Sequence, residues 1–142
     1  MALLDKQASL CEDRQKIIIS KDKRSAVSHR ADNRRHRYHV RQYQLDGNIV
    51  KNRKCCDFLL LNDCCQDAYL IELKGRNISD AIPQLQAGEQ ILKEELKDYR
   101  FYYRIVCSKV KQQERNKNTF RKFWAECGSR LKCDSEVLED IL

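Results

Sequence analysis

The sequence predicts an α/β fold in which a mixed central sheet of four to five strands is flanked by helices. Three observations support this fold class. Three short apolar or alternating runs follow one another between Tyr38 and Lys74, separated by turn-forming residues, as in consecutive antiparallel strands. A longer stretch with helical spacing comes next, and an alternating apolar stretch follows it. A helix between two strands is typical of a crossover that returns to the same sheet.

The first strand is preceded by residues of weaker pattern. Residues 1–20 predict a helix, although the spacing of their apolar residues is imperfect. Residues 21–37 are polar and basic, and predict a loop or an exposed basic helix. The first strand then begins at Tyr38 and ends at Asp46-Gly47, a strong turn signal.

The second strand lies in KCCDFLLLND and the third in AYLIELKG, with the turn-like NDCCQD between them. Residues 75–77 break the third strand. Ser79 or Asp80 then caps a helix that extends to about Lys97. Residues 99–109 predict another strand, and the lysine-rich residues 109–117 predict a loop.

The C-terminal region predicts one further amphipathic helix. It begins at Asn118 or Thr119 and ends at Gly128. Its inward side chains are expected to be those of Phe120, Phe123, Trp124 and Cys127, and we interpret Trp124 as a core residue rather than a base-stacking platform. Residues 129–133 predict an edge strand and residues 134–142 a terminal helical turn.

Length and composition indicate one ordered domain, residues 1–142, with a basic N-terminal segment at 21–54. The 142 residues suffice for a single modest core. Hydrophobic residues at 42% and charged residues at 35% fit a globular chain. No apolar run is long enough to cross a bilayer, and the N-terminus does not resemble a secretory signal. We therefore expect a cytoplasmic protein without membrane contact.

The eight cysteines are best interpreted as reduced, buried thiols, because cytosolic proteins rarely hold disulfides. In each of the vicinal pairs Cys55-Cys56 and Cys64-Cys65, one side chain is expected to point inward as a small hydrophobe. A zinc site formed by Cys64, Cys65 and a distant partner is the alternative, although no CxxC spacing occurs.

Positive charge is concentrated in the basic segment. Residues 21–54 hold eleven Lys or Arg and three Asp, a formal charge of +8, whereas the whole chain carries +7. Such a block favours contact with a phosphate backbone, and a solvated segment without a partner is the alternative. The candidate backbone contacts are Arg30, Arg34, Arg35, Arg37 and Arg41. His36 and His39 are interpreted as exposed members of the same run.

The residues with the clearest chemical logic are Asp57, Glu72 and Lys74. Glu72 and Lys74 project from the same face of a strand because side chains alternate along it, and a hairpin would place Asp57 beside Glu72. Two close carboxylates suit Mg²⁺ or Mn²⁺, and a lysine beside them could position a water at a scissile phosphate. The alternative is structural: Asp57 caps a turn, and Glu72 and Lys74 form an ion pair.

Asp57 and Glu72-Leu73-Lys74 resemble the signature of the PD-(D/E)xK nuclease superfamily over roughly residues 38–108, although Cys56 stands where the usual Pro precedes the first acid. The resemblance implies a restriction-endonuclease-like fold and a Mg²⁺-dependent nuclease in which Asp57 and Glu72 bind the metal. It also implies a helical glutamine, Gln84 or less favourably Gln86, near the metal.

The same resemblance implies an acid on the first helix, for which Glu12 is the candidate. It further implies a homodimer that cleaves DNA rather than RNA, in restriction, repair or defence against mobile elements. Two other functions stay open: a catalytically silent nucleic-acid-binding module, and a regulatory interaction subunit with the same fold.

Overall fold

The computed structural model describes residues 2–23, 26–74, 78–108 and 115–142. It is an α/β structure with two mixed sheets, one of five strands and one of three. The break expected at residues 75–77 and most of the loop expected at residues 109–117 lie outside the described residues.

Strands predominate among the described residues, which also form two α-helices. From the N-terminus, the elements are β1 (Ile17–Lys21), β2 (Ser28–Asp32), β3 (Val40–Gln44), β4 (Phe58–Asn62), β5 (Asp67–Lys74), α1 (Ala81–Leu92), β6 (Arg100–Cys107), α2 (Asn118–Cys127), β7 (Leu131–Ser135) and β8 (Val137–Ile141). Short 3-10 turns lie at Lys6–Ala8, Ile78–Asp80 and Gly128–Arg130.

The larger sheet has the strand order β3-β4-β5-β6-β7. Its first three strands are antiparallel neighbours, as the sequence predicts. β5, β6 and β7 are parallel, so α1 is the expected crossover that connects β5 to β6. The prediction of a mixed sheet with four to five strands is confirmed, and the edge strand predicted at residues 129–133 is β7.

The smaller sheet, with the order β1-β2-β8, corrects three predictions. The helix expected at residues 1–20 is wrong, because that region holds only a 3-10 turn and β1. The loop or basic helix expected at residues 21–37 is wrong, because β2 lies there. The terminal helical turn is also wrong, because residues 137–141 form β8. β2 and β8 pair in parallel across more than 100 residues, a contact that no local pattern reveals.

The two faces of the larger sheet are covered differently. Helices α1 and α2 pack on one face, where the core includes Leu59, Leu70, Leu85, Ile105 and Phe123. The smaller sheet covers the opposite face, where the core includes Ile18, Leu60, Ile71, Val106 and Leu138. The expectation of helices flanking the sheet therefore holds for one face only.

The helices predicted after Ser79 and after Lys117 form, but each differs from prediction in one respect. α1 ends at Leu92, and turns occupy the residues up to Asp98 although the helix was expected to reach about Lys97. In α2, Phe120, Phe123 and Cys127 are buried as expected. Trp124, expected in the core, is 48% exposed, because its position is rotated away from the face that carries Phe123.

A buried ion-pair network joins the two sheets. Asp140 accepts hydrogen bonds from Nε and Nη2 of Arg104 at 2.7 and 3.0 Å and lies 2.8 Å from Nε2 of the fully buried His29. Burial opposes ionisation of Asp140, but its hydrogen bonds with His29 and Arg104 dominate and hold its pKa below the usual range. The network therefore stabilises the contact between β2, β6 and β8.

All eight cysteines are free thiols, but the vicinal pairs are not divided between inside and outside. Cys55 and Cys56 are both buried, and Cys64 and Cys65 are both exposed in the turn between β4 and β5. The expectation of one inward thiol in each pair is wrong, because neither pair lies within a regular strand. Over the described part of the chain, no helix has the length and apolarity that a membrane span requires.

Candidate functional site

The three residues singled out from the sequence meet at one edge of the larger sheet. β4 pairs with β5 so that Phe58 lies opposite Ile71. The next pair outward in this antiparallel register is therefore Asp57 opposite Glu72, as the hairpin prediction requires. Glu72 and Lys74 project from the face of β5 that carries Leu70 and supports the helices.

Main-chain hydrogen bonds hold Asp57 in place from both sides. Its backbone carbonyl accepts a hydrogen bond from the N–H of Leu45 at 2.8 Å. Its backbone N–H donates to Oε1 of Glu72 at 3.1 Å, and its Oδ2 accepts from the N–H of Leu73 at 2.9 Å. The position of the Asp57 carboxyl therefore depends on strand pairing, which is more rigid than a solvated side chain.

Lys74 completes the cluster from the end of β5. Its Nζ lies 3.3 Å from Oε2 of Glu72. The side chain of Glu72 is only 5% exposed, whereas that of Lys74 is 29% exposed. The carboxyl is thus enclosed and its ammonium partner is accessible from solvent, so a ligand that approaches this edge meets Lys74 first.

Both acids have pKa values above the usual range. Burial, followed by the negative charge of Asp57, raises the pKa of Glu72 to about 8. Burial also raises the pKa of Asp57. A pKa of about 8 keeps Glu72 largely protonated at neutral pH. A cation would replace that proton and relieve the same repulsion, which is the behaviour of a divalent-metal site.

Helix α1 packs directly behind this edge. A Cβ placed on Gly88 would lie 2.8 Å from Sγ of Cys56, the residue before Asp57. The hydrogen bond between the Cys55 and Cys56 thiols, followed by burial, raises the pKa of Cys56 well above its usual value. Cys56 is therefore a protonated packing residue, and Gly88 is the position that lets α1 approach it.

Two further acids lie near the trio, and the sequence patterns did not single them out. The negative charges of Asp46 and Asp22 both contribute to the raised pKa of Asp57. Asp46 follows β3, where its N–H donates to the carbonyl of Cys56 at 3.2 Å. In the sequence, Asp46 belongs to a turn signal and Asp22 is one of three acids within the basic segment, so neither pattern predicts a place near Asp57. The pairing of β3 with the segment before β4 is what brings Asp46 close.

The other acid and amide candidates are not joined to this cluster. Gln84 is half-buried on α1, and within the described ranges no hydrogen bond links it to Asp57, Glu72 or Lys74. Gln86 is exposed and lines a cleft between α1 and α2. Glu12 is exposed and precedes β1 without any helix, so the expected acid on a first helix is wrong.

Most of the candidate phosphate-contacting arginines have internal partners. Arg30 pairs with Glu139, Arg34 with Asp32, and Arg41 with Asp63, each at 2.7 Å. Nε of Arg37 donates to the carbonyl of Arg14 at 2.7 Å. Arg35 is exposed, and the described residues provide no hydrogen-bonding or ion-pair partner for its side chain. The charge of the basic segment is thus partly neutralised by the fold.

The histidines of the basic segment differ from one another. His36 is exposed and stacks on Tyr38 at a centroid distance of 4.9 Å. His39 is exposed and lies 2.9 Å from Asp13. Both agree with their interpretation as exposed residues, whereas His29 is the buried member of the network with Asp140.

Three basic residues precede Asp57 closely in sequence, at the end of the same segment. Lys51, Arg53 and Lys54 are all exposed and come just before Cys55. The hydrogen bond with the Cys56 thiol chiefly lowers the pKa of Cys55, and the positive charge of Arg53 adds a smaller contribution in the same direction. Positive charge that faces solvent therefore adjoins the carboxylate edge.

The residues at this edge fit a lightly liganded hard cation. Among residues 2–23, 26–74, 78–108 and 115–142, no group of three or more His, Cys, Asp or Glu is arranged to hold a metal, and this includes Cys64 and Cys65. Mg²⁺ is commonly bound through one or two carboxylates while it keeps several waters. Asp57 and Glu72 satisfy that smaller requirement, and their mutual repulsion favours a cation between them.

Comparison with known proteins adds no identification. No protein-family model, no curated protein and no solved structure significantly matches the chain.

Proposed function

We propose that this chain is a metal-dependent nuclease that hydrolyses phosphodiester bonds of nucleic acid, DNA rather than RNA. The observation that carries the proposal is the pairing of Asp57 opposite Glu72, with Lys74 at 3.3 Å from the same glutamate. Paired acids with an accessible lysine suit metal-dependent phosphodiester hydrolysis, because the acids can hold a cation and the lysine can neutralise charge on the phosphate.

Asp57 and Glu72 would hold the cation, Mg²⁺ or Mn²⁺, through their carboxylate oxygens, and water or substrate would supply the other ligands. When bound, such a cation polarises a phosphoryl oxygen and lowers the pKa of a water beside it. The N–H of Leu73 keeps Asp57 turned toward Glu72 through its bond to Oδ2. Burial of Glu72 limits competition from solvent water.

Lys74 has two roles in this proposal. Its ammonium, held by Glu72, orients the attacking water and neutralises charge that develops on the phosphate. Lys51, Arg53 and Lys54 supply exposed positive charge beside the site, which attracts the phosphate backbone.

The same contacts permit a purely structural role, in which Asp57 caps the N–H of Leu73 and Glu72 pairs with Lys74. Cleavage distinguishes the two. Single-turnover assays would use plasmid, blunt duplex, single-stranded and flapped substrates, with Mg²⁺, Mn²⁺ or EDTA. The variant Lys74→Ala is compared with Lys97→Ala, an exposed lysine after α1.

The proposal predicts that cleavage requires the cation. The rate should fall at least about 100-fold in Lys74→Ala, because one electrostatic contact at the transition state contributes several kcal/mol, and it should stay near the wild-type rate in Lys97→Ala. Binding without cation-dependent cleavage of any substrate would contradict the enzyme and indicate a silent binding module. Neither binding nor cleavage would favour the regulatory subunit.

A further inference from the structure

The surface of α2 carries an exposed aromatic ring that the Asp57 site does not use. Trp124 is 48% exposed and stacks on Phe120 with ring centroids 6.2 Å apart and an interplanar angle of 25°. The ring of Phe120 packs against the indole, and about half of the Trp124 side chain is exposed to solvent. Exposure of the apolar ring of tryptophan to water is unfavourable, and tryptophan is enriched among the residues that contribute most to binding.

The groove beside this ring has a definite chemistry. Its volume is about 250 Å³, and it is lined by Arg115, Phe120, Arg121 and Trp124. Two guanidiniums and two aromatic rings form the lining, without any acid. The Arg121 side chain has neither a hydrogen bond nor an ion pair with the described residues. The groove therefore complements a ligand that is both flat and anionic.

A nucleotide has both properties. Its base stacks on an aromatic ring without dependence on sequence, and its phosphate pairs with arginine. A paired base inside a duplex presents neither of its faces, so only an unpaired base can cover Trp124. An acidic peptide would match the charge of the groove but would leave the indole uncovered.

Helix α2, which carries three of the four groove residues, begins near the end of β5 that holds Lys74. The first residues of α2, Asn118 and Thr119, share a pocket with Ile82 at the start of α1. Helix α2 also packs against the 3-10 turn Ile78–Asp80, which closely follows Lys74 in the chain. The first half of α2, which includes Phe120 and Arg121, therefore lies near the C-terminal end of β5.

We infer that the groove lined by Arg115, Phe120, Arg121 and Trp124 binds an unpaired nucleotide of a nucleic acid, with the base on Trp124 and the phosphate at the arginines. The inference also names the substrate of the Asp57 site as a nucleic acid with a single-stranded segment, and this part rests on the proposed function. Binding at the groove itself does not require cleavage.

Trp124 is the only tryptophan in the chain, so its fluorescence reports on this groove directly. The protein is titrated in EDTA with oligothymidylate of about 12 nucleotides, within the range of common single-strand binding sites, and with a blunt duplex as comparison. The inference predicts quenching by the single strand and little quenching by the duplex. Unchanged fluorescence, or equal quenching by both, would overturn it.

Variants measured by anisotropy of a labelled oligonucleotide provide the second arm. Trp124→Ala is expected to weaken binding about 5- to 150-fold, and Trp124→Phe much less, because base stacking needs a ring. Arg121→Gln should weaken binding more than Lys122→Gln, a neighbouring exposed lysine that does not line the groove. Equal effects of the two charge changes would overturn the inference. Circular dichroism checks that each variant is folded.

The outcomes separate this inference from the proposed nuclease. Asp57→Asn should abolish cleavage and leave the quenching unchanged. Quenching without cleavage by the wild type supports the groove and contradicts the nuclease, whereas cleavage without quenching does the reverse. A fluorescence change that depends on protein concentration alone would show that a second copy covers Trp124, and that result also overturns the inference.

Discussion

The backbone N–H of Asp57 donates a hydrogen bond to Oε1 of Glu72 at 3.1 Å. The two acids are therefore joined through the main chain of Asp57 and the side chain of Glu72. This relationship fixes their separation, and it also concentrates negative charge at a buried point. The pH dependence of stability, the binding of a cation and the tolerance of substitutions should all depend on this placement and on the packing around it.

The stability of the protein should fall between about pH 5 and pH 8 in EDTA. The folded state keeps a proton on Glu72 up to its pKa of about 8, whereas an unfolded glutamate releases it near 4.5. In this window the unfolded state binds fewer protons, so the free energy of unfolding declines as pH rises. Glu72→Gln should remove part of this slope and stabilise the fold at pH 8 by about 1–3 kcal/mol.

Urea denaturation at several pH values measures that slope. Glu126→Gln, at an exposed position on α2, is the matched control and should retain the wild-type slope. Equal slopes for wild type and Glu72→Gln would show that the glutamate is ionised in the fold without cost.

Mg²⁺ or Mn²⁺ should stabilise the folded protein at pH 8, because a ligand that binds only the native state raises the free energy of unfolding. At ten times the dissociation constant the gain is about 1.4 kcal/mol. Asp57→Asn should lose the gain, and Asp67→Asn, at the other end of β5, should keep it. Thermal unfolding with and without the cation measures the difference. A gain that persists in Asp57→Asn would place the cation elsewhere.

Gly88→Ala should destabilise the protein although alanine favours helix formation by about 1 kcal/mol. The added Cβ would lie 2.8 Å from Sγ of Cys56, and overpacking of this kind costs about 1–3 kcal/mol. In the double variant with Cys56→Ala the clash is relieved. A double-mutant cycle from urea unfolding should therefore show favourable coupling between the two changes, and additive effects would be inconsistent with this contact.

Asp140→Asn should destabilise the protein by about 3–5 kcal/mol at neutral pH, because it leaves Arg104 buried without its ion-pair partner. Glu139→Gln removes the neighbouring, more exposed pair with Arg30 and should cost less than about 1 kcal/mol. Chemical denaturation of both variants measures the contrast. Similar losses for the two would mean that the network with His29 does not stabilise the contact between the sheets.

The sequence was most informative where the pattern is local. Alternation and turn residues predicted β3, β4 and β5, and the strand period placed Glu72 and Lys74 on one face. The smaller sheet was not predictable in this way, because β1 and β2 have only weak alternation and β8 depends on a partner more than 100 residues away. Long-range pairing decides such segments, and it overrides local propensity.

In the candidate site, too, local patterns predicted some residues and long-range pairing determined the others. Asp57 could be placed because it opens an apolar strand, whereas Asp46 reaches the site only through pairing beyond β3. Trp124 was misplaced because its neighbours Phe120 and Phe123 are core residues, and the short helix leaves only one buried face. Two of the arginines have partners that are distant in sequence, because Arg41 pairs with Asp63 and Arg30 with Glu139. The partner of Arg34 is local, since Asp32 lies two residues before it.

The rate of phosphodiester cleavage by Asp57→Asn relative to Asp67→Asn, in Mg²⁺ under single-turnover conditions, tests the central claim most directly. Both variants remove one carboxylate from the β4–β5 hairpin region, but only Asp57 lies opposite Glu72. The account predicts that Asp67→Asn cleaves at close to the wild-type rate and that Asp57→Asn is slower by at least about 100-fold. Equal rates for the two variants, or a wild type whose cleavage is unaffected by EDTA, would contradict it.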